Sequence, residues 1–276
     1  MHYVSRTQGA LASFTRQAVL GERWAAGPYF LQSLDARVKL LVLAAVLVTI
    51  SLLHRPAGLA LMAGAALALA LASHLGGRGL RHPIWWAGPA LALFIALPAA
   101  FSLITPGEPL ITILRRPLLA ITAPGVEIAG RLVLRVTASV WWVGALLLSS
   151  RWERVLAALR ALGVPAIFLF ALAMAQRYLF LFVRLNERVL YARRSRALQP
   201  ADAATERSLI GVNVANLFRR TAALAAEVHA AMVARGFVGE YRTLTRFRVQ
   251  SRDLVWAALT LGWCAALWWM NRLGGA

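Results

Sequence analysis

Glu187-Arg188-Val189-Leu190-Tyr191-Ala192-Arg193-Arg194-Ser195-Arg196 and, further on, Ala231-Met232-Val233-Ala234-Arg235-Gly236 lie inside a basic, helix-patterned interval from Arg151 to Arg252. Apolar runs precede this interval and one short apolar piece follows it. Between residues 184 and 252 stand thirteen arginines against five acids (Glu187, Asp202, Glu206, Glu227, Glu240), a net of +8. A large arginine-rich insert between lipid-soluble helices has to be explained by something it touches. The reading of this interval therefore decides both fold and function.

Working outward, the composition is that of a membrane protein. Of 276 residues, 60% are hydrophobic, and several runs approach the ~20 residues that carry a helix across a bilayer. The formal net charge of +19 is almost wholly arginine, with Lys39 the only lysine. Nucleic acid is one use for such a charge. No soluble basic module stands apart from the apolar helices, so positive-inside topology and attraction to anionic lipid explain it better. The expected partners are thus membrane lipid and protein, with no nucleic acid. Cys264 is alone and can form no internal disulfide, and the five histidines have no metal-ligand spacing. No cleavable signal peptide is expected, because the first thirty residues hold no short apolar core.

Along the chain, residues 1–33 form a cytoplasmic or interfacial lead-in. Ser33 or Asp35 is placed to cap a first span from about Val38 to Leu53. His54-Arg55-Pro56 is a tight turn with proline at the first position of the second span, about Pro56 to Ser73. A basic, glycine-rich linker, 74–83, precedes a third span, Ile84 to Ile104. Pro89 and Pro98 should kink that span, which membrane helices tolerate when neighbours satisfy the freed carbonyls. Trp85 and Trp86 are expected as an interfacial aromatic pair. Thr105 to Gly130 reads as a loop, and Leu132 to Leu148 as a fourth span in which Arg135 is edge-placed or packed between helices.

The run Pro165 to Val183 has the hydropathy of a span, yet a crossing there would put arginines on both sides of the membrane. The positive-inside rule disfavours that. The interval 151–252 is therefore read as cytoplasmic, with one long helix starting near Pro165. Gln199-Pro200-Ala201-Asp202 breaks it from a second helix, about Ser208 to Ala234. There Leu217, Leu224, Val228 and Met232 share one face while Arg219, Arg220, Ala223 and Glu227 lie away from it. Gly236 is placed for a C-cap and Gly239 for a turn. Leu254 to Met270 is the last span, giving five crossings, or six if the Pro165 run crosses.

No catalytic constellation emerges. With one lysine outside any glycine-rich context there is no GxxxxGK[ST] phosphate loop. The acids are too dispersed for paired-carboxylate chemistry, and Ser139, Ser149 and Ser150 lack a His and Asp pattern. Cofactors are expected to be none, and no residue is placed as a metal ligand. Solvated juxtamembrane charge would account for the two arginine-bearing helix ends. Docking is the functional alternative: a guanidinium beside small residues can make bidentate bonds in a groove of a partner.

The pieces Leu34-Asp35-Ala36-Arg37-Val38-Lys39-Leu40, Leu156 to Pro165, Arg177-Tyr178, Ala192-Arg193-Arg194-Ser195-Arg196 and Ala231 to Gly239 carry a resemblance. The chain resembles the transmembrane energy-coupling (T) component of energy-coupling-factor ABC importers, most closely the cobalt-type CbiQ branch. That family carries two short Ala-Arg-Gly signatures, one at the end of each of two crossing cytoplasmic coupling helices, which insert into two ATPase subunits. The second signature is intact as Ala234-Arg235-Gly236. The first falls on Ser195-Arg196-Ala197, which keeps the arginine only; Arg193 and Arg194 stand beside it, Arg194 as an alternative register.

The resemblance implies an all-α polytopic membrane protein with a cytoplasmic pair of long crossing coupling helices. The divisions are 1–33, transmembrane helices 34–150, a coupling region 151–252, and a last span 253–276. It implies a non-catalytic subunit of an importer in the bacterial cytoplasmic membrane. The partners implied are two CbiO-like ATPase subunits and a CbiM-like substrate-binding subunit, with or without a small CbiN-like one. Cobalt(II) is the cargo implied first, with nickel or a vitamin behind it. A basic membrane-surface or nucleic-acid tether is the rival from another class.

Overall fold

A computed structural model describes residues 27, 29–73, 83–100, 109–115, 118–196, 203–237, 239 and 249–273. A single turn, α1 (Phe30–Ser33), precedes α2 (Ala36–Leu52), α3 (Pro56–Ala72) and α4 (Ile84–Ala96), the last running into a 3-10 turn, Leu97–Ala100. A hairpin of β1 (Pro109–Arg115) and β2 (Leu118–Thr122) leads to α5 (Ala123–Leu148). There follow α6 (Trp152–Ala161), α7 (Ala166–Arg196), α8 (Ala203–Ala234) and α9 (Ser251–Leu273). The protein is an all-α polytopic membrane protein with one small hairpin added. Three segments are long and apolar enough to cross a bilayer: α5, residues Ala166–Val189 of α7, and α9. Shorter apolar helices are α3 and the Trp85–Ala96 part of α4. Of the sequence expectations, the N-terminal segment through residue 26, the linker 74–82 and the break at 199–202 lie outside the described residues.

The chain divides into two compact units, one formed by Glu22–Ala158 with Arg246–Ala276 and the other containing Leu159–Thr245. The first is a helical bundle. In it α5 packs against α2, α3 and α4, and α9 packs on α2. Buried side chains recur at helical spacing: Val42, Val46 and Ile50 on α2, and Leu59, Met62, Ala66 and Ala70 on α3. Alanines at these contacts let backbones approach, the usual way membrane helices associate when lipid supplies no hydrophobic drive between them. On the opposite faces, Leu41, Val48, Phe94 and Leu259 are exposed, Phe94 by 73%; apolar side chains there suit contact with lipid tails.

Local chemistry sets the helix ends. Asp35 is the N-cap of α2, its carboxylate accepting from the Arg37 N–H at 2.9 Å, whereas the Ser33 hydroxyl donates to the Phe30 carbonyl. Pro56 opens α3. In the third apolar run the α-helix ends at Ala96 and the chain tightens into the 3-10 turn, where Pro98 has no N–H to give the carbonyl of Phe94.

Two expectations are corrected. The stretch 105–130 is not simply a loop: Pro109 pairs with Thr122 and Arg115 with Leu118 in an antiparallel ladder, and α5 begins at Ala123. Pro124 sits in its first turn, where proline is tolerated, and Glu127 pairs with Arg131 one turn on at 2.9 Å. Trp85 and Trp86 are not an interfacial pair. Trp86 is 66% exposed, but Trp85 is 1% exposed and packs on Trp141 with centroids 6.0 Å apart. The reason lies at Pro89, inside α4. Proline has no N–H to give the carbonyl four residues back, which is that of Trp85. The Trp141 indole N–H fills the place, donating to the Trp85 carbonyl at 3.0 Å.

Arg135 is packed between helices. Its guanidinium donates to the Leu53 carbonyl at 2.8 Å, at the C-terminal end of α2, where free carbonyls and the helix dipole both favour a cation. Asn271 near the end of α9 accepts from the His54 and Arg55 N–H groups at 3.2 and 3.3 Å. One end of the bundle is thus tied through α2, α5 and α9.

Candidate functional site

In the unit Leu159–Thr245, α7 and α8 have 31 and 32 residues. On α8, Asn213, Leu217, Thr221, Leu224, Val228 and Met232 are half-buried at three- and four-residue spacing, while Arg219, Arg220, Ala223 and Glu227 are exposed. The four apolar positions singled out in the sequence therefore share the covered face. Arg219 donates to the Asn216 side chain at 2.6 Å.

The end of α8 is built by Ala234-Arg235-Gly236. The Phe237 N–H reaches back to the Met232 carbonyl at 3.0 Å and the Gly236 N–H to Val233 at 2.9 Å, the two bonds of a Schellman cap. Such a cap needs a left-handed residue, and Gly236 has φ +81°. A Cβ there would meet nothing within 4 Å, so glycine is required by conformation rather than by space. Beyond the cap, Phe237 stacks on Phe170 of α7, with centroids 5.2 Å apart and planes 28° apart. The arrangement leaves Arg235 exposed on a fixed turn. α6 ends with the same pair of bonds, Val164 N to Leu159 O and Gly163 N to Arg160 O, both near 3.2 Å.

The end of α7 is different. Ser195 and Arg196 are exposed and still helical, and the Ser195 hydroxyl donates to the Tyr191 carbonyl at 2.9 Å. Such a bond occupies the serine within its own helix. Arg193 and Arg194 lie in the last turns of the same helix; Ala197 lies outside the described residues. The two arginine ends are thus chemically distinct, one a glycine-capped turn and the other a helix end without a glycine. In the apolar half of α7, Ile167 and Phe168 are strongly exposed while Leu169 and Val183 are buried.

A second constellation lies in the bundle, where α2 and α9 begin and α5 ends. Sequence reasoning gave Asp35 a capping role, noted Lys39 as the single lysine in a piece carrying the resemblance, and did not single out Asp253. The Lys39 ammonium, 3% exposed, donates to the Ser149 carbonyl and hydroxyl at 3.3 Å and to the Ser150 hydroxyl at 3.2 Å. Asp253, 1% exposed, accepts from the Gln250 N–H at 2.7 Å and from the Asp35 N–H at 3.2 Å. Asp35, Asp253 and Arg154 all lie within Coulombic range of Lys39. An acid in the first turn of a span, three residues after its N-cap, is the signal that could have found Asp253. Among the described residues no three His, Cys, Asp or Glu side chains are grouped to hold a metal ion.

Residues 29–245 match the CbiQ family, described as a cobalt transport protein. An uncharacterised protein of Methanocaldococcus jannaschii is 27% identical over 231 residues, covering 84% of this chain and 79% of the relative. The nickel permease LarQ of Lactiplantibacillus plantarum is 32% identical over 126 residues, 45% of each chain. With helices long and apolar enough to span a bilayer and a family match over most of its length, this chain belongs to the CbiQ cobalt transport protein family, as a membrane subunit of a transporter assembled with other subunits.

Proposed function

We propose that this chain is the energy-coupling membrane subunit of an energy-coupling-factor ABC importer, and that its cargo is cobalt(II). Two cytoplasmic ATPase subunits dock on the arginine-bearing ends of α7 and α8. Their nucleotide-driven closure moves these helices, whose apolar faces pass the motion to a membrane substrate-binding subunit. The observation that carries this reading is the end of α8: a glycine-capped turn holds Arg235 exposed at the tip of a long helix. A guanidinium so presented suits bidentate bonds to carboxylates or carbonyls in a partner's groove. The chain itself binds no ATP, and the interval 151–252 is cytoplasmic.

Co-purification with candidate ATPase subunits tests the docking, comparing wild type with Arg196→Glu, Arg235→Glu and a control, Arg219→Glu. Loss in the first two alone supports it. Equal retention or equal loss in all three sinks it and returns the insert to plain surface charge, for which binding should fall steeply with salt. Nickel is the second reading for the cargo, favoured by the relative named a nickel permease. Uptake of cobalt and nickel by the reconstituted complex decides between them.

A further inference from the structure

The segment Leu159–Thr245 is an insertion in the sequence of the bundle unit: the chain leaves the bundle after Ala158 and returns at Arg246. On the bundle side, the departing strand of chain is Ser149-Ser150 with α6, and the returning one is Gln250 to Asp253. Both are held where α2 begins, by its first turn, its N-cap and the end of α1. Lys39 bonds the departing segment through Ser149 and Ser150. The Asp35 N–H bonds the returning one through Asp253, and Arg252 donates to the Ser33 carbonyl at 3.2 Å.

This is an expensive way to join three segments. A buried ammonium and two buried carboxylates each lose their hydration, and a well-packed apolar cluster of equal volume is often as stable or more so. What the polar cluster gives instead is one fixed register, because each bond has a single donor, acceptor and direction. We propose that Lys39 and Asp253 are positioning residues for energy coupling: Lys39 by its ammonium, and Asp253 through the backbone N–H of Asp35, lock the departing and returning ends of the inserted segment to the start of α2, so that force applied to that segment moves the bundle as a body rather than being lost at loose junctions. The proposal rests on the coupling reading above and adds to it the residues at which the bundle receives the motion.

The test uses the full complex in proteoliposomes and reads three quantities: assembly, ATP hydrolysis, and cobalt taken up per ATP hydrolysed. Lys39→Met/Asp253→Asn removes one charge of each sign, so the net charge of the cluster is unchanged, and the Asp35 carboxylate keeps its bond from the Arg37 N–H. It should assemble and hydrolyse ATP at near the wild-type rate while uptake per ATP falls about tenfold. A merely structural role predicts a parallel change in all three readouts, or none in the ratio, and either result overturns the proposal. Should the double variant fail to fold, Ser149→Ala/Ser150→Ala is the milder probe. It removes two of the three acceptors of Lys39 and should lower the ratio severalfold with assembly intact; an unchanged ratio overturns the proposal. Lys39→Arg, which keeps the charge and the donors, should recover much of the ratio. If wild type neither binds the ATPases nor takes up metal at the expense of ATP, the coupling reading fails first and this one with it.

Discussion

The carboxylate of Asp253 accepts a hydrogen bond from the backbone N–H of Asp35 at 3.2 Å, across 218 positions of sequence. Asp35 is itself the N-cap of α2, and Asp253 also accepts from Gln250, the residue before α9. Two acids therefore serve the starts of two helices, each placing negative charge at the positive end of a helix dipole. α2 and α9 begin at one shared polar point, which explains why they pack together although they are far apart in the sequence.

Removing that point should be felt strongly. Asp253→Ala leaves the part-buried Gln250 amide and the buried Asp35 amide without their acceptor, at about 1 kcal/mol for the lost cap and 1–3 kcal/mol for the unsatisfied buried group. A total of about 2–4 kcal/mol is expected, read as a lower thermal midpoint of the purified chain in detergent. Asp253→Asn keeps one acceptor and should lose about half as much. A midpoint within error of wild type for Asp253→Ala would mean that the two amides find other partners.

Trp141 and Pro89 should behave as a coupled pair. Trp141→Phe removes the N–H that fills the place left by proline, orphaning the Trp85 carbonyl at about 1–3 kcal/mol. In Pro89→Ala the backbone N–H of α4 can satisfy that carbonyl itself, so Trp141→Phe on that background should cost much less. A double-mutant cycle measured by denaturation in detergent should give a coupling energy of about 1 kcal/mol. Additivity would show that the indole bond does not compensate the proline.

How much of this was legible in the sequence follows from the range of the physics involved. Helix starts and ends fixed by neighbours in the chain were readable: proline at the start of α3, the cap of α2 as Ser33 or Asp35, and the glycine after Arg235 at the end of α8. The apolar runs located the three stretches long and apolar enough to cross, the Pro165 run among them, because lipid imposes hydropathy over about twenty residues. Trp85 was misread because a tryptophan at a helix end looks the same whether it meets headgroups or a neighbouring helix, and only Trp141, 56 positions away, decides it. The early start of α5 was hidden by proline and glycine, which mark a loop and a first helical turn alike. The Asp253 contact was invisible for the same reason as Trp85: its partner lies at the other end of the chain.

Gly88 of α4 lies close against Val140 of α5. A Cβ built on Gly88 would stand 2.8 and 2.9 Å from the two methyl carbons of Val140, nearer than side-chain carbons pack. Gly88→Ala should therefore destabilise the bundle by about 1–3 kcal/mol, the cost of overpacking. Val140→Ala on the same background opens the space and should return most of the loss. Thermal unfolding of the four proteins of the cycle checks this. A tolerated Gly88→Ala would mean that the two helices can part without cost.

Gly236 separates the role of the cap from that of the arginine. At φ +81° any residue with a Cβ is strained, by about 1 kcal/mol for alanine and less for asparagine, whose side chain tolerates the left-handed region. Since nothing stands within 4 Å of the added carbon, the strain falls on the turn alone. The bonds from Phe237 to Met232 and from Gly236 to Val233 should weaken, and Arg235 should lose its fixed direction. Retention of ATPase subunits is then expected to fall severalfold in Gly236→Ala, less in Gly236→Asn, and nearly to nothing in Arg235→Glu. Hydrogen exchange at the Gly236 and Phe237 amides should quicken in the same order for the two glycine variants. Faster exchange with unchanged retention would mean that the arginine docks without its cap, and the turn would then serve only to end the helix.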